Sequence, residues 1–426
     1  MIAVILFFFS MPLLAEQPEN PVTFQDAIQL ILDRSPAIQI QKASRDGVES
    51  RNLSSRLSLL PTISGQLQQS ESGLAGERNT RRGALANAEL NLFKFGADNA
   101  AMRAATSESE TQEALLSDTI LQAEEEAVKA IVAYLQARFE FETISEIKNI
   151  REEALSIAQE RFHRGVLPLQ EAEKFSIDLN NAKARLADTQ SAVIATTSEL
   201  EAMLGHHAVS LTWPWKELLK EEPSLLSRAS LERLKTRPDW LAGMHRVEAA
   251  RQRKNQALGV VFPSLDFSLN YGIFQTELPT GSPSISAAEW KAIVSLSVPL
   301  FDRLENFGQY RALVHAETRA EAELEKVRRH ARIEFDTAKG NLAVAIETAK
   351  LRDKTLTTAK KLYRDNLARF RKGLISANEL IIDQERLTDS QLNAIRGWAQ
   401  AHLSFSRLCH ALGDRLSTCL TNSQSR

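Results

Sequence analysis

Along this chain of 426 residues the spacing of apolar side chains switches between two periods, and it does so in the same order twice. In the first half Ala27, Ile28, Ile31 and Leu32 recur at helical spacing behind Thr23-Phe-Gln-Asp26, a start of capping-box type. Ser35-Pro36 restarts the helix, proline being tolerated at the first helical position, and helical sequence runs to about Leu59. The second half begins near Leu231, restarts at Arg237-Pro238 and continues to about Gly259.

Each half then changes from period 3.6 to period 2. In the second, Leu265, Phe267, Leu269, Tyr271 and Ile273 alternate with Ser264, Asp266, Ser268, Asn270 and Gly272. The returning segment sets Ala292, Val294, Leu296, Val298 and Leu300 against Lys291, Ile293, Ser295, Ser297 and Pro299. The first half alternates less sharply, with Ile63, Gly65 and Leu67, then Ala84, Ala86, Ala88, Leu90 and Leu92, on one face. Two β-hairpins follow, with strands of about ten residues, the length that a tilted membrane strand needs. Polar tips are expected over Ser70–Thr80 and Thr276–Ala288. A half-buried soluble sheet alternates in the same way. The setting favours the membrane: isolated hairpins tied to very long helices have no soluble partner to pack on.

From Ala97 to Phe162, and from about Asn306 to Phe370, the sequence is helical with no interior proline. Each stretch of about 65 residues extends roughly 100 Å, which implies coiled-coil-like packing. On the returning helix Leu179, Ala182, Leu186, Val193, Leu200 and Leu204 keep that spacing.

The two halves are copies in register. Pro36 matches Pro238 and Pro61 matches Pro263, both 202 apart (238 − 36 and 263 − 61). Leu92-Phe93 matches Leu300-Phe301, Arg161-Phe162 matches Arg369-Phe370, Gly165 matches Gly373, and Leu204-Gly205 matches Leu412-Gly413, all 208 apart (373 − 165). One insertion of six residues (208 − 202) therefore lies between Pro263 and Leu300, in or beside the second tip, where length is tolerated. Phe93 to Gly165 and Phe301 to Gly373 both span 72 residues, so the helical hairpins reach equal depth (165 − 93 and 373 − 301). Gly308 falls four residues later than Gly96 predicts, an irregular start to the second long helix. The expected organisation is a signal peptide over 1–15 and a first repeat over 16–230, with a β-hairpin at about 61–93, a helical hairpin at about 97–205 and a linker at 206–230. A second repeat covers 231–413, with hairpins at about 263–301 and 306–413, and a tail covers 414–426.

Composition narrows the function. With 17 Gly, 13 Pro and 25% charged residues the chain favours long helices over loops. A net charge of −2, with no basic block interleaved with aromatics, makes nucleic acid an unexpected partner. Residues Ile2–Ala15 are apolar before Glu16-Gln17, as in a signal peptide, although the usual basic segment is absent. No cysteine follows that run, and no later run of about 18 apolar residues predicts a membrane helix. Cys409 and Cys419 of an exported chain meet an oxidising compartment; a disulfide tying the tail to the last helix and two separate thiols both remain open. No nucleophile elbow, phosphate loop or HExxH occurs, so no catalysis, metal or cofactor is expected. His206-His207, in the linker before Trp213-Pro-Trp215, is the one metal-pair candidate, and a periplasmic metalloenzyme the minority reading it would support. Trp290, read as lying near a strand end, suits an interfacial aromatic belt.

Four strands cannot close a spanning barrel, and open edges cannot face lipid. The chain must oligomerise, and three copies supply twelve strands. The order of elements resembles the TolC family of outer-membrane efflux proteins over essentially the whole mature chain. The resemblance is carried by Ala27-Ile28 with Arg34-Ser-Pro36 and the echo Arg237-Pro-Asp239, by Leu60-Pro61 and Phe262-Pro263, and by Leu296-Ser-Val-Pro-Leu-Phe-Asp302. Arg161-Phe-His-Arg-Gly165 and Arg369-Phe-Arg-Lys-Gly373 mark the helical turns, and Leu204-Gly205 and Leu412-Gly413 close the repeats. The run Asn91-Leu-Phe-Lys-Phe-Gly96 departs from the family's usual Pro-Leu-Phe-Asp-like sequence.

The resemblance implies a mainly α fold with a membrane β part: a homotrimer whose 12-stranded barrel, set in outer-membrane lipid, continues into a long periplasmic α-helical barrel. It implies a passive outer-membrane conduit of a tripartite efflux or type I secretion system in a Gram-negative bacterium, exporting small molecules or polypeptide. Its partners would be a periplasmic adaptor (membrane fusion protein) and an inner-membrane pump. The adaptor would dock on the tips, at Arg161, Arg164, Gly165, Val166 and Leu167 and at Arg369, Lys372, Gly373, Leu374 and Ile375. Glu171 and Glu379, each six residues beyond its tip glycine, would line a cation-binding constriction. The family's gate-tethering Arg and Tyr have no clear counterparts, and Ile375 occupies the expected basic position. The competing reading is a non-transport coiled-coil structural protein of the envelope, which would have no use for a polar-in, apolar-out barrel.

Overall fold

The computed structural model describes residues 22–74, 77–205, 211–212, 231–277, 285–300 and 304–419. In chain order the elements are β1 (Val22–Thr23), α1 (Phe24–Arg34), α2 (Pro36–Leu57), β2 (Thr62–Leu74), β3 (Glu77–Phe93), α3 (Ala97–His163), α4 (Leu169–Leu204) and β4 (Leu211–Thr212). A 3-10 turn (Leu231–Thr236) leads to α5 (Pro238–Val260), β5 (Ser264–Glu277), β6 (Ile285–Ser297), α6 (Glu305–Arg371) and α7 (Ala377–Ala411). The chain divides into one unit of Met1–Pro36, Leu121–Ala229 and Asp336–Arg426 and another of Ala37–Ile120 and Ser230–Phe335.

The duplication is visible in the element bounds. α3 and α6 have 67 residues each, and both ends of α6 lie 208 beyond those of α3 (305 − 97 and 371 − 163). β5 starts 202 after β2, but β6 starts 208 after β3 (264 − 62 and 285 − 77). The change of offset thus falls between Glu277 and Ile285, bracketed by paired strands. The expected irregularity before the second long helix takes a specific form. Gly96 is left-handed (φ 82°), and its counterpart 208 residues on is Leu304, also left-handed (φ 65°). Glycine adopts that conformation without a Cβ clash, whereas leucine is strained in it. Gly308 sits inside α6, its N–H donating to the Leu304 carbonyl at 2.9 Å.

In the second unit the strands form one antiparallel sheet in the order β2-β3-β5-β6. They run 13, 17, 14 and 13 residues, longer than the ten expected. Pairing of β2 with β3 continues to Leu74 opposite Glu77, so most of the stretch Ser70–Thr80 is strand rather than tip. Register sorts the side chains by face, since directly paired residues share one. Ile63 and Ala88, Leu67 and Ala84, Leu90 and Phe267, Tyr271 and Trp290, and Leu265 and Leu296 make one face apolar. Ser64 and Asn87, Asn91 and Asp266, and Asn270 and Lys291 make the other polar. Because β6 begins at Ile285, Trp290 lies in mid-strand rather than at a strand end. The aromatic group at an end of the sheet is instead Phe93, Phe95 and Phe262, with ring centroids 4.8 and 5.1 Å apart. Phe274, like Leu85 and Ile293, is an apolar exception on the polar face. Its ring lies across Gly83 and Gly272, where a Cβ would collide with it, and Arg81 stacks on it at 3.8 Å while pairing with Glu289 at 2.6 Å.

In the first unit Thr23 caps α1, accepting from the Asp26 N–H at 3.2 Å, and β1 pairs in parallel with β4. Arg34 donates to the Leu204 carbonyl where Gly205 (φ 73°) ends α4. Alanine dominates the helix contacts, among them Ala154, Ala158, Ala172, Ala345, Ala349 and Ala401, which lets helices approach closely. Leu179, Ala182, Leu200 and Leu204 of the expected seam are buried, while Leu186 and Val193 are half-buried. The tail is fixed by the Leu416 N–H donating to Glu124 at 3.1 Å, and Cys409 and Cys419 are paired, their Cα atoms 6.3 Å apart. The signal sequence, His206, His207, Trp213 and Trp215 lie outside the described residues. Among the described residues no helix is long and apolar enough to cross a membrane.

Candidate docking tips and constriction

The two helical turns are built alike. Gly165 (φ 73°) and Gly373 (φ 79°) are left-handed. The Gly165 N–H donates to the Phe162 carbonyl at 2.8 Å and the Val166 N–H to Arg161 at 3.0 Å. In the second copy Gly373 donates to Phe370 at 2.9 Å and Leu374 to Arg369 at 3.0 Å. Both are Schellman motifs, which satisfy the last carbonyls of a helix and reverse the chain. The apolar pair that follows each glycine is split by this geometry. Val166 and Leu374 are 60% and 70% exposed, whereas Leu167 is buried and Ile375 packs against the same core. Arg164, Lys372 and Arg369 are exposed as well.

Arg161 is different. Its Nη1 donates to the Phe370 carbonyl at 2.9 Å, and its guanidinium stacks on the Phe370 ring at 4.6 Å. It holds the first hairpin to the end of α6, leaving little of it for another protein. Phe370 is fully buried and meets Phe175 at 5.4 Å.

The two carboxylates are not equivalent. Glu171 pairs with Lys174 at 2.7 Å, one turn along α4. The position matching Lys174 in the second copy is Ile382, and Glu379 is exposed in the first turn of α7. There the Ser376 hydroxyl accepts the Glu379 N–H at 3.2 Å, a cap that Pro168 cannot provide for α4.

Sequence reasoning missed a polar network behind the tips. Arg151, 1% exposed, pairs with Asp178 at 2.7 Å and Glu385 at 2.8 Å, and donates to the Asp178 carbonyl at 3.0 Å. Arg185 reaches Glu385 at 3.3 Å. Burial pushes the Asp178 carboxyl above the usual carboxylate range, and Arg151 pulls it back. Nearby, buried Asp383 accepts from Asn366 at 2.5 Å and from Arg386 at 3.2 Å. The available signal was a charged residue inside an apolar row: Phe175, Asp178 and Ala182 in α4, and Leu380, Asp383 and Leu387 in α7.

A family model described as outer membrane efflux protein matches residues 27–206 and 230–414. Among solved structures the fold is similar to CusC, with a TM-score of 0.79 at 15% identity over 92% of each chain. It is similar to the outer membrane protein VceC of Vibrio cholerae, with a TM-score of 0.75 at 18% identity over 92% of this chain and 96% of that one. The CmeC outer membrane channel of Campylobacter jejuni aligns with a TM-score of 0.77 at 13% identity, over 94% of this chain and 89% of that one. No curated protein matches the chain in a sequence search.

Proposed function

The chain belongs to the outer membrane efflux protein family, and we propose that three copies form a passive export channel in the outer membrane of a Gram-negative cell. The observation that carries this reading is the sheet. Its four strands have one apolar and one polar face, and its outer strands, β2 and β6, leave 13-residue edges open among the described residues. Lipid cannot satisfy such an edge. Joining β6 of one copy to β2 of the next closes twelve strands with the apolar face outward, and no spare edge remains. The polar face then lines a lumen.

The helical hairpins extend the duct into the periplasm, and their tips face a periplasmic adaptor that couples the channel to an inner-membrane pump. Within the tips the exposed groups Arg164, Val166, Lys372 and Leu374 supply the docking surface, apolar residues flanked by cations. Glu171 and Glu379 approach the narrow end and attract cations there. Cys409 and Cys419, joined in the oxidising periplasm, tie the tail to α7. A structural spacer of the envelope would not need a sheet with an outward apolar face.

Detergent extraction followed by mass measurement and planar-bilayer recording tests the reading. A complex of three processed chains, each below the 47.5 kDa of the full sequence, with discrete conductance steps is expected. A monomer soluble without detergent would end it.

A further inference from the structure

The second helical hairpin repeats the first in register, yet among the described residues the contact made by Arg161 occurs once. Shifted by 208, Arg161 becomes Arg369 and Phe370 becomes Phe162, so both partners of a second such contact are present. Neither is covered as its counterpart is: Arg369 is exposed, and Phe162 is 36% exposed where Phe370 is 0%. The same shift turns buried Ala154 into Leu362, which is 41% exposed. It also turns the Arg151–Glu385 ion pair into Ala359 and Ile177, an apolar couple whose isoleucine is exposed. Four uncovered residues, Arg369, Phe162, Leu362 and Ile177, thus occur where the internal contact predicts a neighbour.

We propose that Arg369 of one copy donates to the Phe162 carbonyl of the next copy and stacks on that ring, repeating the Arg161 contact across the subunit boundary. The occupant is a second copy of this chain, because only another first hairpin carries the matching helix end. The proposal rests on the trimer reading above. It also separates two kinds of seam. Within a chain the hairpins are joined by Arg161, by Arg151 with Glu385 and by Arg371 with Glu153. Between chains the counterparts of that last pair are His163 and Lys361, which do not attract, so the Arg369 contact and the apolar couple remain. The boundary between copies is the weaker seam, and the tube end parts there first.

The test is cross-linking in membranes. A chain carrying Arg369→Cys and Phe162→Cys, treated with a short bis-maleimide, should give dimer and trimer bands on a denaturing gel. Arg161→Cys with Phe370→Cys should be linked internally and stay at one chain's mass. Since cysteines can disturb the turn, Arg369→Ala is the second variant. It should raise the open probability of reconstituted channels several-fold, while Arg369→Lys, which keeps a donor, stays near wild type. A wild-type trimer that gives no inter-chain product from the first pair, together with wild-type gating of Arg369→Ala, would overturn the seam contact. A wild-type protein that is monomeric in detergent would overturn the trimer reading instead.

Discussion

The first and second helical hairpins share turn, length and offset, but the first is anchored and the second carries unspent charge. Arg161 and Arg151 of the first hairpin are drawn into the second, and Glu171 is matched by Lys174. In the second, Arg369 and Glu379 are exposed, and Ala359 and Ile382 replace the positions of Arg151 and Lys174. Duplication has preserved what backbone geometry demands, the left-handed glycine and the helix length. Charged contacts, which a single substitution can add or remove, have diverged. In the proposed trimer, six near-equal hairpins would therefore present two alternating chemistries at the end of the tube.

The sharpest test of that comparison sets Arg151 against Arg386, which is 65% exposed and pairs with Asp383. Arg151→Ala strands Asp178 and Glu385 and should cost about 3–5 kcal/mol in denaturant unfolding. Arg386→Ala should cost about 1 kcal/mol or less. Equal losses would mean that the first hairpin is not the anchored one.

The tip glycines come next. Gly165 has open space around its α-carbon, while a Cβ on Gly373 would lie 3.4 Å from Arg161 Nη2. Either alanine substitution forces a left-handed residue, about 1–2 kcal/mol. The two should cost alike, because 3.4 Å from the end of a flexible arginine is ordinary contact. Thermal unfolding compares the two variants, and a loss at Gly373 well above that at Gly165 would mean that this turn also supports the Arg161 contact.

At the proposed constriction the two carboxylates should act unequally. Glu379→Gln should weaken divalent-cation block of reconstituted channels about tenfold, roughly 1.4 kcal/mol. Glu171→Gln, whose charge Lys174 already balances, should change it about twofold or less. An identical response from both would remove the distinction, and none from either would remove the acidic ring.

Much of this was legible in the sequence, for physical reasons. Period and repeat offset are set by backbone geometry, so Pro36 with Pro238 and Gly165 with Gly373 located the elements and turns to within a few residues. Strand length was underestimated because Ser70–Ser72 and Glu77–Thr80 are polar, and main-chain pairing continues regardless of side-chain polarity. The split within Val166-Leu167 and Leu374-Ile375 was hidden, since two adjacent apolar residues look alike until the turn aims one inward. Arg151 with Asp178 and Glu385 was hidden more deeply: the three lie far apart in sequence, and no local pattern pairs them. The left-handed Leu304 was half visible, as the missing glycine at that position.

The smallest expected effect concerns proton binding, and it too separates the copies. Glu124 is buried, and burial pushes its carboxyl above the ordinary value of 4.5, opposed by the Leu416 N–H and by Arg415 and His410. Its counterpart in the second copy is Arg332, which is exposed. A raised folded pKa means that the folded chain keeps this proton where the unfolded chain has released it. The resulting stability is fully present below the ordinary value and is lost as pH rises through the raised one. Glu124→Gln removes the titration yet retains an acceptor for the Leu416 N–H. Thermal unfolding across mildly acidic pH should therefore show wild type gaining stability on acidification relative to the glutamine variant. Arg332→Gln, changing an exposed side chain at the matching position, should run parallel to wild type. If wild type and Glu124→Gln keep the same slope, Glu124 ionises alike in the folded and unfolded chains, and the tail is not held by a protonation-sensitive contact.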